Sequence, residues 1–397
     1  MTNSHRLKIC VLSTSFPVNE QSISGIFVKH LADALSRNSE VEVIIPVHSE
    51  GVPTTSESYA INTFSYAPKI WQNLSHNPGG VPVALKKNKL NYFILPFFLG
   101  SMLWKTLLAA RRCDAIQANW AINGLIAGLA GKITNTPVIT TLRGEDKQRA
   151  TQSKIDKFIL RNCVKWSSQI IAVSSEMHRS LMETFPQHRE KIHFVPNGVG
   201  DEFLAISPKK IDGEDRELEL VIIGSLIHRK GVSQLIRALS IIERRHPPIL
   251  KIAGDGPLKD ELIELSQQLG LANRVEFLGS IPFHTIAQQL AKSDALVLCS
   301  YSEGRPNVVI EAMAASLPVI ATAIDGVTEI IDTGINGLLY NPDDIETLKH
   351  HIEYLIDHPE RRQSLGHAAR NTIIQNKLSW QSTAEKYLNL IEQSVNS

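Results

Sequence analysis

The chain has 397 residues, 43% of them hydrophobic, and carries 41 Lys and Arg against 40 Asp and Glu. That length exceeds one ordinary core and that apolar content suffices for two, so two domains are expected. A net charge of +1 argues against a nucleic-acid surface or a strongly acidic partner, and any anion the protein binds must be held locally.

From the N-terminus, Lys8–Ser13 reads as a first strand, and its apolar run Ile9–Leu12 is far shorter than a signal-peptide core, so secretion is not expected. The cysteines, Cys10, Cys113, Cys163 and Cys299, are widely spaced without a metal-type pairing, which fits a reducing cytoplasm. The spacing of Phe27, Leu31, Ala34 and Leu35 predicts a helix over Phe27–Leu35, with Ser24 as its cap and Gly25 at its entry. Further strands are expected at Val41–Ile45, Ala115–Ala118, Val138–Thr141, Ile170–Val173 and Ile192–Val195. The apolar stretch Tyr92 to Trp104, interrupted by Pro96 and Gly100, is shorter than the about 20 residues needed to span a bilayer. It reads either as a helix packed on the fold or as a shallow membrane-contact surface flanked by Lys86, Lys87, Lys89, Lys105, Arg111 and Arg112.

A polar connection over Ser207–Arg216 precedes a second series of strands at Glu219–Ile223, Leu250–Ala253, Val275–Leu278, Ala295–Cys299 and Pro318–Ala321. Among its helices the pattern is clearest over Val232–Ile242. Alternating strands and helices predict an α/β protein of two doubly wound domains, 1–197 and 198–379, with a ligand cleft between them. The final helix, about Trp380–Gln393, is read as returning to the first domain.

Glu303 and Glu311 stand with seven residues between them, in the loop leaving Ala295–Cys299 and on the helix expected to start near Pro306–Val308, capped by Asn307 or Ser302. A helix start offers unpaired N–H groups to phosphate. Ionised carboxylates beside it suit hydroxyl groups, because they accept hydrogen bonds. Phosphates flanked by polyols describe a nucleotide sugar. A loop charge and a favourable helix acid are the plainer account of the same pair.

The run Ser302–Thr322 resembles the E-x(7)-E signature of retaining glycosyltransferases of family four, which have the GT-B fold. The resemblance extends to Gly224–Gly231, Ala253–Pro257, Val275–Gly279, Val195–Val199, the turn Asn336–Pro342, and Ser22–Val28 with Thr140–Asp146 in the acceptor domain. It implies that Glu311 receives the ribose hydroxyls and Glu303 those of the donor sugar. Backbone around Gly304, Arg305, Pro306, Asn307 and Val308 then meets the diphosphate or the sugar, with Lys230 as its cation and Gly25 allowing close approach of backbone to phosphate. Gly254, Asp255 and Gly256 are read as scaffold.

Two departures stand out. Ser225 occupies the place of a diphosphate-binding Arg in many relatives, with Arg229 or Arg305 available to compensate, and Arg143 occupies the place of a His. A guanidinium cannot act as a base near neutral pH, but it binds anions, so Arg143 either positions the acceptor or selects a charged one. The resemblance implies a metal-independent transfer with retention, Glu303, Lys230 and Arg143 serving catalysis, no cofactor, and a donor on UDP rather than GDP. The expected acceptor is a saccharide or lipid-linked saccharide of bacterial surface polysaccharide assembly, handled in the cytoplasm, with peripheral contact at the inner membrane face as one expectation. A non-catalytic nucleotide-sugar-binding subunit is the alternative that Ser225 and Arg143 suggest; a glycoside hydrolase would leave the phosphate-seat features unused.

Overall fold

The computed structural model describes residues 6–17, 24–47, 56–76, 80–208 and 217–396. The chain divides into two compact units, Met1–Gly198 with Trp380–Ser397, and Val199–Ser379. Of the features expected from sequence, Ser22 and Ile23 and most of the polar connection, residues 209–216, lie outside the described residues.

The first unit holds a parallel seven-stranded sheet of β1 (Lys8–Leu12), β2 (Glu40–Pro46), β3 (Ala60–Phe64), β4 (Ala115–Asn119), β5 (Val138–Leu142), β6 (Gln169–Ala172) and β7 (Ile192–Phe194), in the order β3-β2-β1-β4-β5-β6-β7. The second holds a parallel six-stranded sheet of β8 (Glu219–Ile223), β9 (Ile249–Ala253), β10 (Val275–Gly279), β11 (Ala295–Leu298), β12 (Val319–Thr322) and β13 (Leu338–Tyr340), in the order β10-β9-β8-β11-β12-β13. Parallel strands are covered on both faces, so they read as continuous apolar runs, and every strand expected from the sequence is present with small shifts at its ends. Strands β3 and β13 are additions. The segment Asn336–Pro342, read as a turn, contains β13.

Each sheet has one point where strand order reverses, between β1 and β4 in the first and between β8 and β11 in the second. The loops leaving the carboxyl ends of such paired strands diverge and leave a crevice, where doubly wound folds bind ligands.

The first long helix runs Ile26–Ser36, and its N-cap is Gly25 rather than Ser24. Ser24 Oγ instead meets Ser15 Oγ at 2.5 Å. Gly25 has φ +74, and a Cβ there would overlap the Ser15 carbonyl, so the β1 loop packs directly on its backbone. The last helix, Trp380–Val395, packs on Ile26–Ser36 and belongs to the first unit. It buries Tyr387 and Ile391, and the Tyr387 hydroxyl lies 2.8 Å from Thr141 Oγ1. Each such buried side chain contributes roughly 1.5–3 kcal/mol.

Helix Asn91–Ala110 is continuous through Pro96 and Gly100 and is 20 residues long, so the length argument against a membrane span does not hold. Packing supplies the better argument. Phe98, Met102, Ala109 and Ala110 are buried in the core, where Phe98 meets Tyr66 at a ring distance of 4.8 Å and Phe64 at 5.7 Å.

Candidate functional site

In the second unit, two loops meet at the reversal between β8 and β11. After β8, Gly224–Ile227 leads into a short turn His228–Lys230, ended by Gly231 at φ +58, whose missing Cβ leaves room for the Cys299 carbonyl. After β11, Ser300–Pro306 leads into helix Asn307–Ala314. The Tyr301 N–H donates to the Arg229 carbonyl at 2.8 Å, and the His228 and Tyr301 rings stack 5.6 Å apart, which fixes one loop against the other. Beneath them Thr322 Oγ1 donates to the Ser300 carbonyl at 2.6 Å.

These contacts bring Lys230 to Glu303. Lys230 Nζ donates to Glu303 Oε1 at 2.5 Å, Ser300 Oγ donates to the same oxygen at 2.6 Å, and Arg229 Nη1 stands 4.0 Å from Glu303 Oε2. The Glu303 side chain is only 10% exposed and that of Lys230 19%, so this is a largely desolvated pair. A pocket at the ends of the strands is lined by Gly224, Ser225, Lys230, Leu298 and Ser300 among others. The Lys230 stem crosses Gly224 at 3.6 Å from where a Cβ would sit.

Helix Asn307–Ala314 starts at the expected place, but Pro306 is its N-cap and no side chain caps it, so the Asn307 and Ser302 caps are corrected. In its first turn the Val309 N–H donates to the Pro306 carbonyl at 3.2 Å. Glu311 is buried; its backbone carbonyl accepts from the Ala315 N–H at 3.0 Å, while its carboxyl has no hydrogen-bond donor among the described residues. Burial, with Glu202 nearby, pushes its carboxyl up to about 8. Arg305 is turned to Glu329, 4.0 Å away, and burial lowers its pKa.

Sequence reasoning missed Gly326, in the short helix Asp325–Thr328. A Cβ there would lie 2.5 Å from the Gly304 carbonyl oxygen and 2.7 Å from that of Glu303, so Gly326 is the floor on which the Glu303 loop rests. Gly326→Ala is expected to push that loop off its floor and destabilise the second unit by roughly 1–3 kcal/mol, the usual cost of overpacking, which thermal unfolding would read; an unchanged midpoint would show that the loop gives way freely.

In the first unit, Gly25 and Arg143 also lie at the sheet's reversal. Arg143 is 8% exposed, with its guanidinium carbon 3.6 Å from the centre of the Phe27 ring. It donates to Asn197 Oδ1 at 3.1 Å and to Asn119 Oδ1 at 3.4 Å, while its buried Nε has no hydrogen-bond partner among the described residues. Burial lowers its pKa to about 10, which leaves it a cation at neutral pH and not a base. Asp146 does not neutralise it directly: its carboxylate accepts from the backbone N–H groups of Arg143 (2.9 Å) and Ala121 (3.1 Å), and burial raises its pKa to about 6. Asn119 is fixed in turn by donating to Gln117 at 2.9 Å.

Beside this cluster Trp120 adopts φ +69, ψ 155, a region nearly reserved for glycine. Its ring packs edge-on to Phe27 at 5.7 Å. Residue type carried no signal of this strain, because a positive φ leads one to expect glycine.

The model of the family described as Glycosyl transferases group 1 matches residues 206–372, and that of Glycosyltransferase Family 4 matches residues 24–203. An uncharacterized glycosyltransferase of Methanocaldococcus jannaschii is 24% identical over 401 residues, covering 97% of this chain and 97% of the relative. Among solved structures, sucrose-phosphate synthase from Thermosynechococcus elongatus superposes with a TM-score of 0.76 at 21% identity, over 98% of this chain and 99% of that one. Anabaena HepE in complex with UDP and glucose gives 0.73 at 19% identity, over 98% of this chain and 100% of that one. These structural likenesses show the GT-B fold.

Proposed function

Because the chain belongs to glycosyltransferase family 4, whose retaining enzymes use nucleotide sugars, we propose that it transfers a sugar from a UDP-sugar to a saccharide or lipid-linked saccharide acceptor. The observation that carries this reading is the Lys230–Glu303–Ser300 cluster at the reversal of the second sheet. The presence of UDP and glucose in the related HepE structure supports the choice of base.

Lys230 meets the diphosphate, where a point charge offsets the negative charge that grows as the glycosidic bond breaks. The start of Asn307–Ala314, which no side chain caps, adds the positive end of a helix dipole and the Val308 amide as a donor fixed in advance. Arg229, half-exposed and 4.0 Å from the Glu303 carboxylate, supplies the second cation that Ser225 does not. Glu303 accepts from the sugar hydroxyls and Glu311 from the ribose diol. Arg143 holds its proton at neutral pH, so the acceptor hydroxyl gives its proton to the departing phosphate oxygen on the same face, which preserves anomeric configuration. Arg143 instead binds an anionic group on the acceptor, consistent with a guanidinium held by two amides and an aromatic ring and by no carboxylate among the described residues. Assembly of a bacterial surface polysaccharide is the setting this acceptor chemistry suits.

Calorimetric titration of UDP, GDP, ADP and their sugar conjugates, in chelator, tests the donor. Selective binding of UDP conjugates by the native chain, weakened in Glu303→Ala, is expected. Equal or absent binding of all three nucleotides by a folded sample would remove the donor assignment.

A further inference from the structure

We infer that the outer face of helix Asn91–Ala110 is a docking surface for an anionic lipid bilayer, with the helix lying along the membrane plane. Phe93, Phe97, Trp104 and Leu108 recur on one face at helical spacing, with Leu90 just ahead of the helix. Phe93 is 77% exposed, Phe97 68% and Trp104 63%, so these are whole side chains in water rather than edges of a core. The stripe from Phe93 to Leu108 is about 22 Å long at 1.5 Å per residue. Ile70 and Trp71, on the short turn Lys69–Trp71, are exposed as well, at 77% and 55%. Scattered apolar residues on a surface are ordinary, but several large ones aligned along one helix face, here interrupted only at Gly100 and Ser101, mark an interaction site.

Charge identifies the occupant. Between Glu57 and Asp114 the chain has no Asp or Glu and seven Lys and Arg, in a protein whose net charge is +1. Lys86, Lys87 and Lys89 are exposed ahead of the helix, Arg111 is exposed beyond its end, and Lys69 sits beside Ile70. A second copy would bring like charges together at both ends of the stripe, whereas anionic headgroups complement them. Trp104 and Tyr92 have the ring-and-polar-tip form that prefers the headgroup level. The opposite face of the helix is occupied by the core, and its polar residues are satisfied there: Asn91 Nδ2 donates to the Ala84 carbonyl at 2.8 Å and Thr106 Oγ1 to the Met102 carbonyl at 2.7 Å. Crossing a bilayer would strip Phe98 and Met102 from their neighbours; lying on it strips nothing.

Sedimentation of the full chain with phosphatidylcholine vesicles, with and without one third phosphatidylglycerol, tests this independently of any transfer activity. Binding to the anionic vesicles is expected, weakened by molar salt and reduced about tenfold or more in the double variant Phe93→Glu with Phe97→Glu. Lys86→Glu with Lys87→Glu should lose the preference for anionic lipid. Brominated lipid should quench the native chain's tryptophan emission, and Trp104→Phe should lose part of that quenching. The inference is overturned if neither vesicle sediments the protein, if binding persists unchanged in the Phe93/Phe97 variant, or if that variant instead abolishes a concentration-dependent dimer.

Discussion

Lys230→Ala is expected to lower kcat by about 10²–10³ at saturating donor, the usual result of removing one charge-stabilising donor from a preorganised site. Lys230 reaches this position through the turn His228–Lys230, closed by the left-handed Gly231, and its ammonium lies 2.5 Å from Glu303. Glu303, itself held by Ser300, fixes the Lys230 ammonium in position, so its charge is aimed in advance and little rearrangement accompanies the bond breaking. The same substitution leaves Glu303, 10% exposed, with Ser300 and the distant Arg229 as its partners. It should therefore also destabilise the second unit, by roughly 1–3 kcal/mol. Glu303→Gln keeps the hydrogen bond to Lys230 and removes the charge, so its cost falls on sugar recognition and turnover rather than stability. Because the two side chains touch, the stability losses in the double variant should be less than additive. Thermal unfolding of the three variants, with kcat and KM measured separately, checks this. If Lys230→Ala kept kcat within about threefold and only raised KM, Lys230 would be serving ground-state binding alone.

What the sequence makes legible follows from periodicity and local chemistry. The central strands stand out because both faces are buried, as in β4 and β5, where every residue is covered. β3 lies at a sheet edge, and its Ala-Ile-Asn-Thr-Phe has too little apolar run to mark a strand without its partner β2. Glu303 and Glu311 stand out through the resemblance of Ser302–Thr322 to the E-x(7)-E signature, since their spacing alone suits a loop charge and a helix acid equally well, and Gly25 stands out through its place at a helix entry. Gly326 does not, because its importance arises from the Glu303–Gly304 loop, distant in sequence, folding onto it. Nor are Asn119 and Asn197 legible as partners of Arg143, since each comes from a different strand end or loop. Ser24 has the right chemistry for a cap, but Ser15 across the loop competes for its hydroxyl. For Asn91–Ala110, composition shows an apolar helix, while which face the core takes depends on where Phe64 and Tyr66 stand.

Glu311→Gln is expected to stabilise the protein and weaken nucleotide binding, both only at higher pH. The folded-state pKa is raised to about 8 from the ordinary 4.5, chiefly by burial, with Glu202 adding to it. Between those values the folded state keeps a proton that the unfolded state releases. Stability from this residue is therefore fully present below about pH 4.5 and is lost as pH rises through 8. At about 1.36 kcal/mol per unit, the accumulated loss is on the order of 5 kcal/mol above pH 8, and the neutral amide does not incur it. Glu311→Gln should accordingly unfold with the native chain at pH 4.5 and well above it in temperature at pH 8.5. Nucleotide affinity should move the opposite way. In the proposed donor site the ionised carboxylate would accept the ribose hydroxyls, and such charge-assisted bonds are worth about 1.5–3 kcal/mol, so the amide should bind roughly 10- to 100-fold more weakly at pH 8.5. At pH 6 the native carboxyl is itself protonated and the two forms should bind nearly alike. Native affinity should rise from pH 6 to 8 and then level, with a proton released on binding that calorimetry in buffers of different ionisation enthalpy can count. A native affinity flat across this range, unchanged in Glu311→Gln, would move the ribose elsewhere. The buried charge is then best understood as a cost the fold carries for its ligand: a carboxyl left without a hydrogen-bonding partner among the described residues destabilises the free protein and becomes useful when hydroxyls reach it.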